Sequence, residues 1–371
     1  MPQKNKLYLK TFGCAQNESD SERIKTYYQE RGYELVQNWK EANLIVINSC
    51  VIRESAENRV YGLIDKIRKA ESASANASAK RRIILTGCLV PISKKTIKGV
   101  DEMLPIKKIS FKVEPLRDKK RAALITISSG CNNYCSYCIV PYARGKEISR
   151  KMETILKEVD GAIKKGFEEV VLIGQNVNSY GADLEESSIF NLSAKGGSVS
   201  GGQSSMGKKR IKSAFPKLLE EVAKKNLKKV SFISSNPWDF SDELIEVIAK
   251  YSNIDRLLHL PFQSGDDKVL KNMNRGYTKQ EYLDLVEKIK SKVPGVKFST
   301  DIIIGFPGED EVAFQNTVDV CKKVGFEIAY LNKYSPRRGT VSAKLYKDEI
   351  PMSEKKRRWN ILNDLVNKKE K

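Results

Sequence analysis

ALITISSGCNNYCSYC (Ala123–Cys138) sets an apolar, strand-like run directly ahead of three cysteines spaced Cys131-x-x-x-Cys135-x-x-Cys138. Three thiolates at this spacing can bind three of the four irons of a cubane 4Fe-4S cluster and leave the fourth iron open. A structural zinc ion would want a fourth ligand nearby, and the only histidine, His259, is far away in sequence. Downstream, five more strand patterns follow: Val170–Ile173, Val230–Ile233, Arg256–Leu260, Val296–Ile304 and Ile328–Leu331. Helical patterns fall between them, among them Thr154–Lys165, Asp242–Tyr251, Lys279–Lys292 and Glu311–Val324. Six βα units predict an open, partial TIM-type (βα)6 barrel. The cysteines then lie at the C-terminal end of its first strand, the edge where such barrels keep their active sites.

Upstream, the chain also alternates strands and helices. Lys6–Phe12, Asn43–Asn48 (NLIVIN) and Arg82–Thr86 (RIILT) read as strands, with Ser19–Arg31 and Ser55–Lys69 as helices. Continuous apolar strands separated by helices predict an α/β domain with a doubly wound parallel sheet. Cys14, Cys50 and Cys88 each follow one of these strands, behind Gly13, Ser49 and Gly87 respectively. In a parallel sheet all strand C-termini lie on one edge, so three cysteines scattered in sequence should converge. They too offer only three thiolates to a cluster. Cys321, mid-helix among Val318, Val320 and Val324, reads as a core cysteine. His259, beside Leu260 and Pro261, reads as a structural imidazole or a pocket-lining one.

The expected domains are 1–115 (auxiliary cluster), 116–350 (barrel) and 351–371, a basic C-terminal helix with seven Lys/Arg against three acids. Glu71–Lys80 and the Gly/Ser-rich Glu185–Ser213 read as inserted, mobile surface loops. With 66 Lys/Arg against 46 Asp/Glu the formal net charge is +20, which suits either a solvated lysine-rich surface or a phosphate-binding face. No run of 18 apolar residues suggests a membrane span. The polar start lacks a secretory apolar region, and clustered cysteines suit a reducing compartment. A cytoplasmic protein is expected.

The segment GCNNYCSYCIVPYARG (Gly130–Gly145), with Tyr137 before the last cysteine, resembles the cluster-binding signature of radical S-adenosylmethionine (SAM) enzymes. Together with the upstream trio it resembles the radical SAM methylthiotransferase family. TFGCAQNESDSERI, IGQNVNSYG, LHLPFQSGDDKVLKNMNRGYT, DIIIGFPGE and YSPRRGT are most similar to its members that act on N6-dimethylallyladenosine of tRNA. The match runs from about Lys6 to Asn367, broken by the two insertions.

The resemblance implies two 4Fe-4S clusters, one on Cys131, Cys135 and Cys138 that binds SAM, and an auxiliary one on Cys14, Cys50 and Cys88. It implies hydrogen abstraction at C2 of the adenine, sulfur delivered from the auxiliary cluster, and a methyl group from a second SAM. The product is the 2-methylthio derivative of the nucleoside next to the anticodon. Implied SAM contacts are Tyr137, Gly174 and Gln175 after the second strand, Ser235 and Asn236 after the third, Gln263 after the fourth, and Gly305 and Glu309 after the fifth. Arg144, Arg150, Arg337 and Arg338 are candidates for RNA phosphates or base stacking. The implied partners are a tRNA anticodon loop and a reductant such as flavodoxin or ferredoxin.

Family members of this kind continue into a small C-terminal β-barrel RNA-binding domain (TRAM), and this sequence ends ahead of one. Rival readings are methylthiolation of threonylcarbamoyladenosine in tRNA or of a ribosomal-protein aspartate. A non-catalytic iron–sulfur electron carrier or RNA-binding protein is the rival from another class.

Overall fold

A computed structural model of the chain describes residues 5–52, 54–73, 80–93, 95–109, 113–117, 122–184 and 212–368. Most of the two expected insertions lies outside these residues. The chain forms two compact units: Met1–Lys120 with Ile139–Lys146, and Arg121–Cys138 with Glu147–Lys371. The octapeptide Ile139–Lys146 therefore belongs to the first unit, although it follows directly on the cysteine motif.

The first unit is built on a parallel sheet of β1 (Asn5–Thr11), β2 (Tyr33–Val36), β3 (Leu44–Ser49), β4 (Arg82–Gly87) and β5 (Glu102–Met103), in the order β2-β1-β3-β4-β5. Every residue of β3 is buried, as a central parallel strand covered on both faces requires. Helix α1 (Ala15–Gln29) sets Ile24 and Tyr28 against Leu7, Leu44, Val46 and Ile84 on one face. Helix α2 (Glu54–Ser72) sets its stripe of Val60, Ile64 and Ile67 against Ile45, Ile47, Ile83 and Leu85 on the other. The doubly wound arrangement expected from the strand and helix patterns is what forms. The short helix α3 (Val140–Arg144) adds Ile139 and Ala143 to the α2-side core. Strands β2 and β5 are not among those expected from the apolar patterns. One is a four-residue, half-exposed edge strand and the other only two residues long.

The second unit carries all six expected strands: β6 (Ala123–Thr126), β9 (Glu169–Ile173), β10 (Lys229–Phe232), β11 (Leu257–His259), β12 (Lys297–Ile304) and β13 (Ile328–Lys333). All run parallel, in ladders β10-β9-β6 and β11-β12-β13. Between β10 and β11 the ladder thins to one bridge, Val230 with Ile254. A two-stranded antiparallel pair, β7 (Ser128–Ser129) with β8 (Ile148–Ser149), extends the first barrel strand toward the cysteines. Helices α4 (Met152–Lys164), Phe215–Ala223, Asp242–Lys250, Lys279–Lys292 and Glu311–Val324 bury their apolar stripes against the strands in one continuous core. This is the open, partial barrel. Thr278 and Glu281 start Lys279–Lys292 with a reciprocal capping box, which satisfies two otherwise orphaned amides.

Helix Met352–Val366 packs into this unit rather than standing off as a charged tail. Leu362 and Val366 join the core. Lys355 is buried with Nζ 2.6 Å from Asp348 and 3.0 Å from the Tyr334 carbonyl. Among the described residues no helix is long and apolar enough to cross a membrane.

Candidate functional site

In the first unit the three cysteines follow adjacent strands at their C-terminal ends: Cys14 after β1, Cys50 after β3, Cys88 after β4. The strand order reverses direction between β1 and β3. That is the point where an open parallel sheet leaves a crevice for a ligand. Hydrogen bonds fix the loops there. Cys88 N donates to the Ser49 carbonyl at 2.9 Å, and Phe12 N to that of Asn48 at 2.8 Å. Asn17 and Asn48 clasp each other: Asn17 Nδ2 donates to Asn48 Oδ1 (3.1 Å) and the Ser49 carbonyl (3.0 Å), while Asn48 Nδ2 donates to the Asn17 carbonyl (2.8 Å).

Gly87 makes the crossing possible. Its φ is +89°, and a Cβ there would stand 2.4 Å from the Ser49 carbonyl oxygen. Only glycine adopts this backbone at no cost.

The first turns of α1 bury Gln16, Asn17, Ser19, Asp20, Ser21 and Arg23, a polar lining where a helix packed on a sheet would ordinarily be apolar. Burial pushes the Cys88 thiol up to about 11. Arg144 opposes this, and the nearby Cys50 and Cys14 reinforce it. Two buried cysteines, Cys50 and Cys88, and an exposed one, Cys14, offer soft sulfur donors that suit an inorganic core binding them as thiolates. Among the described residues, no three His, Cys, Asp or Glu side chains gather tightly enough for a single metal ion. A cubane is wider than one ion, and its ligands stand correspondingly farther apart.

Arg144, expected at RNA, is enclosed in this unit. Its Nη2 is 2.9 Å from Asp20 Oδ2 and its Nε donates to Cys88 Sγ at 3.2 Å.

In the second unit the 131–138 loop leaves the short β7 strand and is held mainly by the segment Asn272–Arg275. Ser136 N donates to the Met273 carbonyl (2.9 Å) and Ser136 Oγ to that of Asn272 (2.7 Å). Asn274 Nδ2 donates to the Tyr134 carbonyl (2.9 Å). Arg275 Nη1 reaches Cys135 Sγ at 3.5 Å, its Nη2 donates to the Pro261 carbonyl at 3.0 Å, and the guanidinium lies over Trp238 and Tyr277. The motif KNMNRGYT carries the resemblance, yet spacing alone assigns Asn274 and Arg275 no role. Their signal is purely tertiary.

Burial pushes the Cys131 thiol up to about 12, with Cys135 and Cys138 adding to the effect, so this trio also shares one electrostatic neighbourhood. Burial raises Tyr137 well above the usual phenol range, against the pull of Arg275.

Several expected cofactor residues gather at the ends of β6, β9 and β10. Gln175 Oε1 accepts from Gly130 N at 2.5 Å, tying the second strand end to the cysteine loop. A side chain at Gly174 would press on Ser128 Oγ. Asn236 N donates to Asn178 Oδ1 at 3.2 Å. Among the described residues, the buried atoms Ser128 Oγ, Asn176 Oδ1, Asn178 Nδ2 and Ser235 Oγ have no hydrogen-bond partner. Buried polar groups are seldom left unsatisfied. A polar ligand with several donors and acceptors, as SAM has, fits these atoms. Gln263 follows β11 in a left-handed conformation (φ +67°) and bridges to Ile302.

Other expected residues have different surroundings. Glu309 Oε1 accepts from Gly305 N (2.9 Å) and Arg358 Nη1 (2.8 Å), so the GFPGE turn is locked to helix Met352–Val366. Arg150 donates to the Thr126 carbonyl (2.6 Å) and pairs with Glu158 at 2.7 Å. Arg337 is half-buried with its carbonyl in a turn to Thr340, and Arg338 is exposed. His259 is satisfied by Ser299 Oγ and Asp301 Oδ2, both at 3.1 Å. Cys321 is buried in the core, and burial alone lifts its thiol to about 12.

A cysteine trio on the first strand of a partial barrel, with polar strand ends beside it, defines a radical SAM protein. Residues 125–321 match the model of the Radical SAM superfamily, and residues 6–106 match that of the uncharacterized protein family UPF0004. At 12% identity and a TM-score of 0.60, the chain shares its fold with TsrM from Kitasatospora setae, a radical SAM methyltransferase. That match covers 92% of this chain and 74% of the other. The cobalamin-dependent SAM radical enzyme OxsB gives 0.57 at 11% identity, over 99% of this chain and 56% of that one.

Sequence relatives are more specific. The tRNA-2-methylthio-N(6)-dimethylallyladenosine synthase of Thermotoga petrophila is 37% identical over 97% of this chain and 81% of that protein. The enzyme of the same name from Clostridium perfringens is 36% identical over 97% and 82%. The chain belongs to the tRNA-2-methylthio-N(6)-dimethylallyladenosine synthase family.

Proposed function

We propose that this chain converts N6-dimethylallyladenosine, next to the anticodon of tRNA, to its 2-methylthio derivative. Membership of the family supports the reading. The observation that supports it is the pair of cysteine trios, one following the C-termini of three adjacent strands in the first unit and the other in the loop after the first barrel strand. Cys131, Cys135 and Cys138 would hold a 4Fe-4S cluster, and Cys14, Cys50 and Cys88 a second. When bound, the first cluster and SAM supply the one-electron chemistry that permits hydrogen abstraction from an aromatic C–H, and the second is a source of sulfur.

The chain's own residues position and desolvate. Gln175 and Asn274 hold the cysteine loop through side-chain hydrogen bonds to its backbone, at Gly130 N and the Tyr134 carbonyl. Arg275 brings a buried cation to Cys135 that would offset thiolate charge. Tyr137 in the loop, Gly174 after the second strand, and Ser235, Asn236 and Gln263 at the next two strand ends are the residues that would hold SAM. Gly305 and Glu309 shape the fifth strand end through the Arg358 lock.

The charge of +20 favours a polyanion such as tRNA, and a low-potential donor of the flavodoxin or ferredoxin kind would supply electrons. The test is anaerobic reconstitution with SAM, dithionite and tRNA bearing dimethylallyladenosine, followed by nucleoside mass spectrometry. A methylthio mass increment on that nucleoside is expected. Release of 5′-deoxyadenosine with every nucleoside unchanged would overturn the substrate, and no release at all would overturn the chemistry.

A further inference from the structure

Arg144 is enclosed where an RNA contact would be exposed, with its side chain 5% accessible and that of its partner Asp20 2%. Its position is set by packing, because the same short helix inserts Ile139 and Ala143 into the core beside Val51 and Leu89. Asp20 is itself held by Gln16 Nε2 at 3.3 Å. A buried guanidinium is costly unless its charge and its donors are all matched. Asp20 matches the charge, but Nε is directed at the sulfur of Cys88, 3.2 Å away. A neutral thiol is a weak acceptor, whereas a metal-bound thiolate is an anionic one and makes a much stronger hydrogen bond.

We propose that Arg144 is a positioning residue for an iron-bound thiolate at Cys88, with Asp20 setting how much of its positive charge the sulfur feels. The inference rests on the reading of Cys14, Cys50 and Cys88 as ligands of a second cluster. Hydrogen bonds and cations at ligand sulfurs stabilise the more negative, reduced cluster, so they raise its potential. Removing the guanidinium and removing its counter-charge must then act in opposite directions. A merely structural role has no reason to produce opposite signs.

The test uses the whole 371-residue chain with Cys131, Cys135 and Cys138 all changed to Ala, which leaves the first unit's trio to bind the cluster. Iron content and an EPR-monitored redox titration are read after anaerobic reconstitution. Arg144→Met should shift the midpoint to more negative values and speed iron loss to a chelator. Arg144→Lys keeps the charge without the planar fork, and should fall between Met and the parent. Asp20→Asn should shift the midpoint to more positive values. It also keeps the test alive should the Met variant fail to fold. Unchanged midpoints, or shifts of the same sign for Arg144→Met and Asp20→Asn, overturn the proposal. A parent that binds no iron overturns the second-cluster reading itself, before any variant is compared.

Discussion

Arg358 Nη1 lies 2.8 Å from Glu309 Oε1, with the two side chains only 6% and 2% accessible, so an ion pair shut away from water fastens the C-terminal helix to the fifth barrel strand end. Glu354 takes the Arg358 Nε at 2.7 Å. Removing one partner of a buried pair leaves an uncompensated charge, at a cost of ~3–5 kcal/mol. Arg358→Leu should therefore lower stability by that order in urea unfolding, and adding Glu309→Leu should restore much of it. A single substitution costing under about 1 kcal/mol would show that the pair does not pin the helix.

Cys135→Ala and Cys50→Ala should separate two activities. The first removes a thiolate of the barrel trio and should abolish SAM cleavage. The second should leave 5′-deoxyadenosine formation intact while methylthiolated nucleoside falls below detection. Loss of both activities in a correctly folded Cys50→Ala chain would argue against separate roles.

Glu147 is buried in the second unit with the hydroxyl of Ser179 2.8 and 2.7 Å from its two oxygens. Burial pushes its carboxyl up to about 7, with Asp183 and Asp239 adding to the effect and Ser179 opposing it. The unfolded chain gives up this proton near pH 4.5, the folded chain only near 7. Between those values the folded state holds the extra proton, so stability falls as pH rises. The loss is complete above about pH 7 and amounts to ~3 kcal/mol at ~1.4 kcal/mol per unit. Glu147→Gln should flatten the dependence in denaturant titrations of the metal-free chain at pH 5 and 7.5. An unaltered slope would locate it elsewhere.

Gly87→Ala puts a methyl group 2.4 Å from the Ser49 carbonyl in a left-handed backbone. Strain of this kind costs about 1–3 kcal/mol, and relieving it must move Cys88, the next residue. Iron bound by the first unit's trio should drop while iron bound by the barrel trio is retained. Equal retention at both would contradict the placement.

The charge of +20 predicts that tRNA affinity falls steeply with salt, linearly in log–log form, as counterions are released. Filter binding between 50 and 200 mM salt measures this, for which a protein making several phosphate contacts loses roughly 10³-fold or more. A flat response would remove RNA as the polyanion.

Strand and helix placement was largely legible. The NLIVIN run became the wholly buried β3, and all six barrel strands lie within a few residues of their patterns. Apolar periodicity is a local property, so it survives being read without neighbours. The placement of Cys14, Cys50 and Cys88 after adjacent strands was legible for a related reason: parallel strands put their ends on one edge. What failed was the partnership of charged side chains. Arg144 and Arg150 resemble exposed cations in sequence, yet one is enclosed on Asp20 and Cys88 and the other on Glu158. The C-terminal helix reads as a basic tail, yet Lys355 and Arg358 are among its buried residues.

From its residues alone the chain determined two cysteine trios and the two α/β scaffolds that present them, because cysteine spacing and apolar period are written along the backbone. Tertiary structure decided which cations lie against those sulfurs, Arg144 on Cys88 and Arg275 on Cys135. Each pair joins residues 56 and 140 positions apart respectively, and the burial that makes a hydrogen bond to sulfur matter exists only once the chain has closed around it.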